Sequence, residues 1–186
     1  MKVWLSLLTA AVLAGTLGFA QHDMNAMTMD GGNLAELDGE AFEVAFMSGM
    51  IAHHEGAVEM SRWILDRTDL PGVAGDARQV IAAQEPEINL MRGWLTDWYG
   101  GESDDRVAST MAADMREMTA ALEAFDDPNV AFLTEMSLHH DSAIDMAQLA
   151  LLKATHPKLR ELAKDIIRNQ AQEIANYQET LSELTR

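Results

Sequence analysis

Two stretches of the chain decide its fold: FMSGMIAHHEGAVEMSRWIL at residues 46–65 and FLTEMSLHHDSAIDMAQLAL at residues 132–151. They align without a gap when the chain is shifted by 86 residues, and their phenylalanine, methionine and paired histidine positions coincide. The same shift superimposes the Gln-x-x-Glu of residues 84–87 on that of residues 170–173. A register kept through a helix, a turn and a second helix indicates a helical hairpin used twice.

The rest of the chain has helical periodicity and no convincing strand alternation. Pro71 and Gly72 mark the stop of the first helix, and Gly100 and Gly101 the C-terminal cap of the second. Two hairpins joined by a connecting helix predict an all-α four-helix bundle. The predicted helices cover about residues 40–66, 74–99, 104–125, 126–154 and 157–184.

The first twenty residues have the pattern of a secretory signal peptide. Lys2 is followed by an apolar, uncharged segment at residues 3–17 and by small residues before Gln21. This segment is short for a membrane span, so cleavage is favoured over retention as an anchor. We expect a periplasmic or secreted protein without a membrane span in its mature part. The predicted organisation is a signal peptide (1–20), a flexible Met-rich tail (21–38) and a bundle domain (39–186) with repeat units at about 40–99 and 126–185.

Charge and composition narrow the function. The formal net charge of −17 disfavours nucleic acid as a partner and favours cations near the surface. The chain has 13 methionines and no cysteine, so any soft ligand for a metal must be a Met thioether.

The paired histidines lie beside the centre of the core-facing stripe when each stretch is placed on a helical wheel. Spacings of three and four residues bring side chains within reach of a single ion on one helix face. Each stretch therefore offers two or three candidate ligands. They are Met50, His53 and His54 in the first stretch, and Met136, His139 and His140 in the second.

The second helix of each hairpin adds polar residues on or beside its core-facing side. Gln84 and Glu87 occupy these positions in the first hairpin, and Gln170 and Glu173 in the second. Amide and carboxylate groups of this kind fix the tautomer and orientation of a metal-bound imidazole. We predict that these four residues support the histidines.

The ordinary explanation of such residues is packing, since buried histidines are often hydrogen-bonded and methionines often fill the core. Four buried imidazoles without partners would be costly, so a metal or another specific ligand is favoured. A four-histidine zinc site would leave the methionines unexplained, and the carboxylates beside the histidine pairs face outward, unlike those of a di-iron site. Imidazole with thioether suits Cu(I), Ag(I) or Cu(II), and Met favours Cu(I).

Two further methionine clusters lie outside the paired stretches. Met24, Met27 and Met29 are exposed candidates for a loose Cu(I) or Ag(I) site, although the composition of a short tail can be incidental. The methionines at positions 111, 115 and 118 share one stripe of the connecting helix, for which core packing is favoured.

The motif F-M-x-x-M-I-x-H-H-x-x-A-V-x-M and its copy F-L-x-x-M-x-x-H-H-x-x-A-I-x-M resemble the exported proteins grouped as domain of unknown function 305. The resemblance covers about residues 40–184. It implies a ferritin-like bundle that binds copper through Met and His, as periplasmic members of the family do, with a role in copper tolerance. By matching position it adds Met60 and Met146 to the candidate ligands.

We therefore expect a copper chaperone or buffer without catalytic activity. Its expected partners are copper ions and a copper-exporting or copper-accepting protein. One alternative is a metal-dependent redox enzyme of ferritin-like fold, which would need a labile coordination position and a path for substrate. Another is a structural or signalling bundle whose histidines are hydrogen-bonded core residues.

Overall fold

The computed structural model describes residues 34–186, and within that range all regular structure is helical. This confirms the predicted all-α class. The five α-helices are α1 (Gly39–Leu65), α2 (Pro71–Tyr99), α3 (Asp105–Ala121), α4 (Pro128–Lys153) and α5 (Pro157–Leu184), with one-turn 3-10 helices at Leu34–Glu36 and Leu122–Ala124.

The helices form two hairpins that meet along their first members. α1 packs against α2, α4 packs against α5, and the α1–α4 contact joins the hairpins. α2 and α5 make few contacts with each other, and α3 lies mainly on α1. The centre of the bundle is therefore the crossing of α1 and α4. None of the helices in residues 34–186 is both long and apolar enough to span a membrane.

Two helix boundaries differ from the prediction. α2 begins at Pro71 rather than Ala74. Proline is tolerated there because the backbone N–H groups of the first helical turn have no acceptor within the helix, so its missing N–H costs no hydrogen bond. α4 and α5 also begin at a proline. The connecting helix ends at Ala121 instead of continuing to Phe125, and its last turn tightens into the 3-10 helix before the chain extends.

Glycine lets α3 approach α1 closely. A Cβ added at Gly56 would lie 2.7 Å from both Cβ and Cγ of Met115. Met115 and its stripe neighbours Met111 and Met118 are buried, so α3 covers α1 with thioether side chains one turn beyond His53. The equivalent position of the second stretch is Ser142, which carries a Cβ.

We expect Gly56→Ala to destabilise the protein by about 1–3 kcal/mol through overpacking, even though alanine is the better helix former. The Met115 Cβ is fixed to the α3 backbone and cannot move aside without shifting the helix. The matched control is Gly93→Ala on α2, where an added Cβ meets nothing within 4 Å. That change should stabilise by about 0.5–1 kcal/mol. Urea unfolding of both variants measures the difference, and equal stabilities would contradict the close packing of α3.

Polar side chains connect the two hairpins near the ends of α1 and α4. Lys153, at the end of α4, donates to the Leu37 carbonyl at 2.7 Å and lies 2.9 Å from the Asp38 carboxylate. In α4, Asn129 accepts a 2.5 Å hydrogen bond from the hydroxyl of Thr68 in the α1–α2 turn. Polar contacts therefore join the two hairpins at both ends of the α1–α4 crossing.

Glu43 in α1 is fully buried against the α4–α5 turn. Its carboxylate accepts hydrogen bonds from the backbone N–H of Thr155, from the Thr155 hydroxyl at 3.0 Å and from the backbone N–H of His156 at 2.9 Å. The Tyr99 hydroxyl and the His156 ring also contact it. Burial opposes the charge, but the hydrogen bonds from Tyr99, His156 and Thr155 outweigh it and lower the pKa of Glu43 to about 2.

Candidate metal centre

The four paired histidines are fully buried at the crossing of α1 and α4. The His53 and His139 rings contact each other across the crossing, with centroids 3.7 Å apart and planes tilted by 40°. Within the pairs, the centroids of His53 and His54 are 6.2 Å apart, and those of His139 and His140 are 5.8 Å apart. The structure therefore brings both predicted histidine pairs into one buried group.

A closed circuit of hydrogen bonds holds the two rings that meet at the crossing, those of His53 and His139, which we call the central rings. His53 Nε2 lies 2.7 Å from the Ser142 hydroxyl, which donates to the His139 carbonyl at 2.8 Å. His139 Nε2 in turn lies 2.9 Å from the His53 carbonyl oxygen. The ring of His53 on α1 is thus joined to a side chain of α4, and the ring of His139 on α4 is joined to the backbone of α1.

The two outer rings contact carboxylates of the second helices. His54 Nε2 lies 2.8 Å from Glu87 Oε2, and His140 Nε2 lies 2.7 Å from Glu173 Oε2. The glutamate side chains are 18% and 21% exposed, whereas both imidazoles are inaccessible to solvent. Each glutamate therefore links a buried ring to the surface. These are the two carboxylates that the sequence places beside the histidines.

Every core imidazole has at least one ring nitrogen without a hydrogen-bond partner. The Nδ1 atoms of all four histidines are buried without one, and so are His140 Nε2, Gln84 Oε1 and Gln170 Oε1. Burial lowers the pKa of His53, His139 and His140, and the neighbouring imidazoles oppose a charge on His53 and His139 further. A neutral imidazole leaves one nitrogen with a free lone pair, the form in which histidine binds metals. Each core imidazole therefore has a ring nitrogen of the kind that binds metals.

The predicted thioether ligands lie in the same core. Met50, Met60 and Met136 are fully buried, and Met146 is 3% exposed. All four lie on α1 or α4, the helices that carry the histidines, and belong to the same hydrophobic core cluster. In residues 34–186, no three His, Asp or Glu side chains form a group that could hold a metal. The predicted ligands Met24, Met27 and Met29 and the predicted signal peptide lie outside the described residues.

Sequence reasoning missed Ser142, which completes the circuit between the central rings. Its helical-wheel position is at the edge of the apolar stripe, where a serine is usually solvated. The available signal is that the aligned position, Gly56, is also small. Small residues at one position of both stretches indicate close approach of another element, and both positions are buried.

The comparison with protein families decides the relationship of this chain to known proteins. The family described as domain of unknown function 305 matches residues 15–75 and 43–181. The chain belongs to this family. A curated relative, an uncharacterised protein of Acanthamoeba polyphaga mimivirus, is 40% identical over 52 residues, which cover 28% of this chain and 34% of that protein. The match thus spans about a third of the relative's length.

Solved structures of the domain of unknown function 305 type share the fold. CopM in its Cu(II)-bound form has a TM-score of 0.65 and 26% identity over 76% of this chain and 97% of CopM. CopM in its Cu(I)-bound form has a TM-score of 0.65 and 25% identity over 76% and 96%. A domain of unknown function 305 protein from Streptomyces coelicolor, described as secreted, has a TM-score of 0.64 and 27% identity over 76% and 92%.

Proposed function

We propose that the protein is an exported copper-binding protein, a chaperone or buffer that supports copper tolerance. One observation carries this proposal: four buried imidazoles present unpartnered Nδ1 atoms in a core rich in thioethers. Leaving four such atoms unsatisfied costs free energy that a bound ion would recover. The proposal concerns binding and transfer rather than catalysis.

The chemistry of the donors supports copper over other metals. Imidazole nitrogen and thioether sulfur are soft or borderline ligands, and the chain has no thiolate to compete with them. Cu(I) is favoured among the candidate ions, and Ag(I) and Cu(II) are the other two. CopM, which shares the fold, is known in Cu(I)-, Cu(II)- and Ag-bound forms. The negative net charge would concentrate cations at the surface.

Titration with Cu(I) in the presence of a competing chelator tests the proposal. We expect the protein to withdraw Cu(I) from the chelator, and Met50→Leu with Met136→Leu to weaken its binding by about 10- to 100-fold. Leucine nearly conserves the volume of methionine, so the core should stay packed. The expected loss therefore reflects the missing sulfur atoms.

Met47→Leu is the matched control, since Met47 is also fully buried on α1, one turn before Met50. The second stretch has a leucine, Leu133, at the equivalent position, so leucine suits that place in the core. This variant should keep the affinity of the unaltered protein. Failure of the unaltered protein to compete with the chelator would contradict copper binding, and turnover of a redox substrate by the loaded protein would contradict a purely binding role.

A further inference from the structure

We infer that the core histidines bind their metal through Nδ1, and that Ser142 positions His53 for this by holding its Nε2–H. The inference rests on the proposed function, because it concerns the atoms through which that metal is held. It also assigns to Ser142 a role that neither the paired motif nor the family description contains.

The direction of each hydrogen bond decides the tautomer of the two central rings. Ser142 has one hydroxyl hydrogen, and it donates this hydrogen to the His139 carbonyl. The hydroxyl oxygen can therefore only accept from His53, whose Nε2 must carry the ring hydrogen. His139 Nε2 faces a backbone carbonyl, which also can only accept, so this nitrogen carries a hydrogen as well. Both central rings are left with bare Nδ1 atoms.

His54 reaches the same state by a different route. Its Nε2 lies 2.8 Å from Glu87 Oε2 in a hydrogen bond. An ionised carboxylate has only acceptors, so the ring nitrogen beside it is the donor. The partner of a metal-bound histidine commonly fixes the ring in this way and raises its basicity. The Nε2 atoms of His53, His54 and His139 are thus engaged as donors and leave free lone pairs on Nδ1, whereas neither ring nitrogen of His140 has a hydrogen-bond partner.

This assignment restricts the position of the metal. Nδ1 is the ring nitrogen nearer the backbone, so an ion bound there lies close to α1 and α4, away from the carboxylates of α2 and α5. Glu87 and Glu173 would then hold the rings without coordinating the ion.

Nuclear magnetic resonance of the ring nitrogens in the ¹⁵N-labelled protein tests the assignment directly. Before metal is added, we expect His53, His54 and His139 to show protonated Nε2 and unprotonated Nδ1. On addition of Ag(I) or Cu(I), the Nδ1 resonances of the binding histidines should shift while the Nε2–H signals persist. Loss of Nε2–H on binding, or an Nδ1–H tautomer in the free protein, would overturn the inference while leaving copper binding intact. Unchanged ring resonances with no competition for Cu(I) would overturn the proposed function and the inference together.

Ser142→Ala tests the positioning role. We expect its Cu(I) affinity to fall by about 10- to 100-fold, the range typical for removal of a group that supports a ligand. The His53 ring should also lose its single tautomer in the spectrum, which a purely structural defect would not cause. Ser137→Ala is the matched control, because the Ser137 hydroxyl donates only to the Leu133 carbonyl of its own helix. An unaltered His53 spectrum and affinity in Ser142→Ala would overturn the role of Ser142.

Discussion

Replacement of His54 and His140 together by glutamine is expected to reduce the affinity for Cu(I) by more than about 100-fold, beyond the loss typical for a supporting group. The change removes one imidazole from each helix of the α1–α4 crossing and leaves the central rings in place. Glutamine retains a polar group that can reach Glu87 or Glu173. Competition with a Cu(I) chelator measures the change, and circular dichroism reports whether the helices persist.

His156→Gln is the control for this double variant. His156 lies outside the core group, in the turn before α5, where its ring is 38% exposed and stacks on Trp98 at 4.1 Å. Its replacement should lower stability through the contact with Glu43 and leave the Cu(I) affinity of the folded protein unchanged. Full copper affinity in the His54/His140 double variant would exclude these two histidines as ligands.

Glu43→Gln is expected to destabilise the protein by about 3 kcal/mol at pH 7, the lower end of the range for breaking a buried charged group away from its partners. Oε1 accepts from the backbone N–H groups of Thr155 and His156, and Oε2 contacts the Tyr99 hydroxyl and the His156 ring. An amide in place of the carboxylate removes the charge and turns an NH₂ group toward one of these two sets of groups. Urea unfolding measures the loss. Glu40→Gln, on an exposed side chain one turn earlier in α1, should change stability by less than about 0.5 kcal/mol.

The contribution of Glu43 should also depend on pH. Its pKa is lowered from the ordinary 4.5 to about 2, so the folded state favours the ionised form. The stabilisation is complete above pH 4.5 and is lost as the pH falls through 2, with a total of about 3 kcal/mol at 1.36 kcal/mol per pKa unit. The stability difference between the unaltered protein and Glu43→Gln should shrink over this window. A difference that stays constant from pH 6 to pH 3 would contradict the role assigned to the carboxylate.

The helix pattern and the buried histidines were predictable because both follow from periodicity. Positions three and four residues apart lie on one face, so the wheel places His53 and His54 toward the core, where the structure has them. The same reasoning placed Glu87 beside that face, and its carboxylate reaches His54. Proline and glycine marked the turns, although Pro71 begins α2 and was interpreted as the stop of α1.

The contacts between elements distant in sequence could not be predicted in this way. Ring contact between His53 and His139 depends on the angle and depth at which α1 crosses α4, which no pattern within one helix specifies. The hydrogen bond of Ser142 to His53 could not be predicted for the same reason, since it also depends on how the two helices cross. The buried Glu43 is an acidic residue near a helix N-terminus, and its sequence context is that of a solvated side chain. Only the α4–α5 turn packed against it explains its burial.

The polar contacts between each hairpin and the turn of the other have a consequence for cooperativity. Glu43 of the first hairpin satisfies donors of the α4–α5 turn, and Asn129 of the second contacts Thr68 of the α1–α2 turn. Separation of the hairpins would leave these groups without partners, so neither is expected to persist alone. A peptide spanning one hairpin should be largely unfolded, and the protein should lose its helices and its central histidine contact in a single transition.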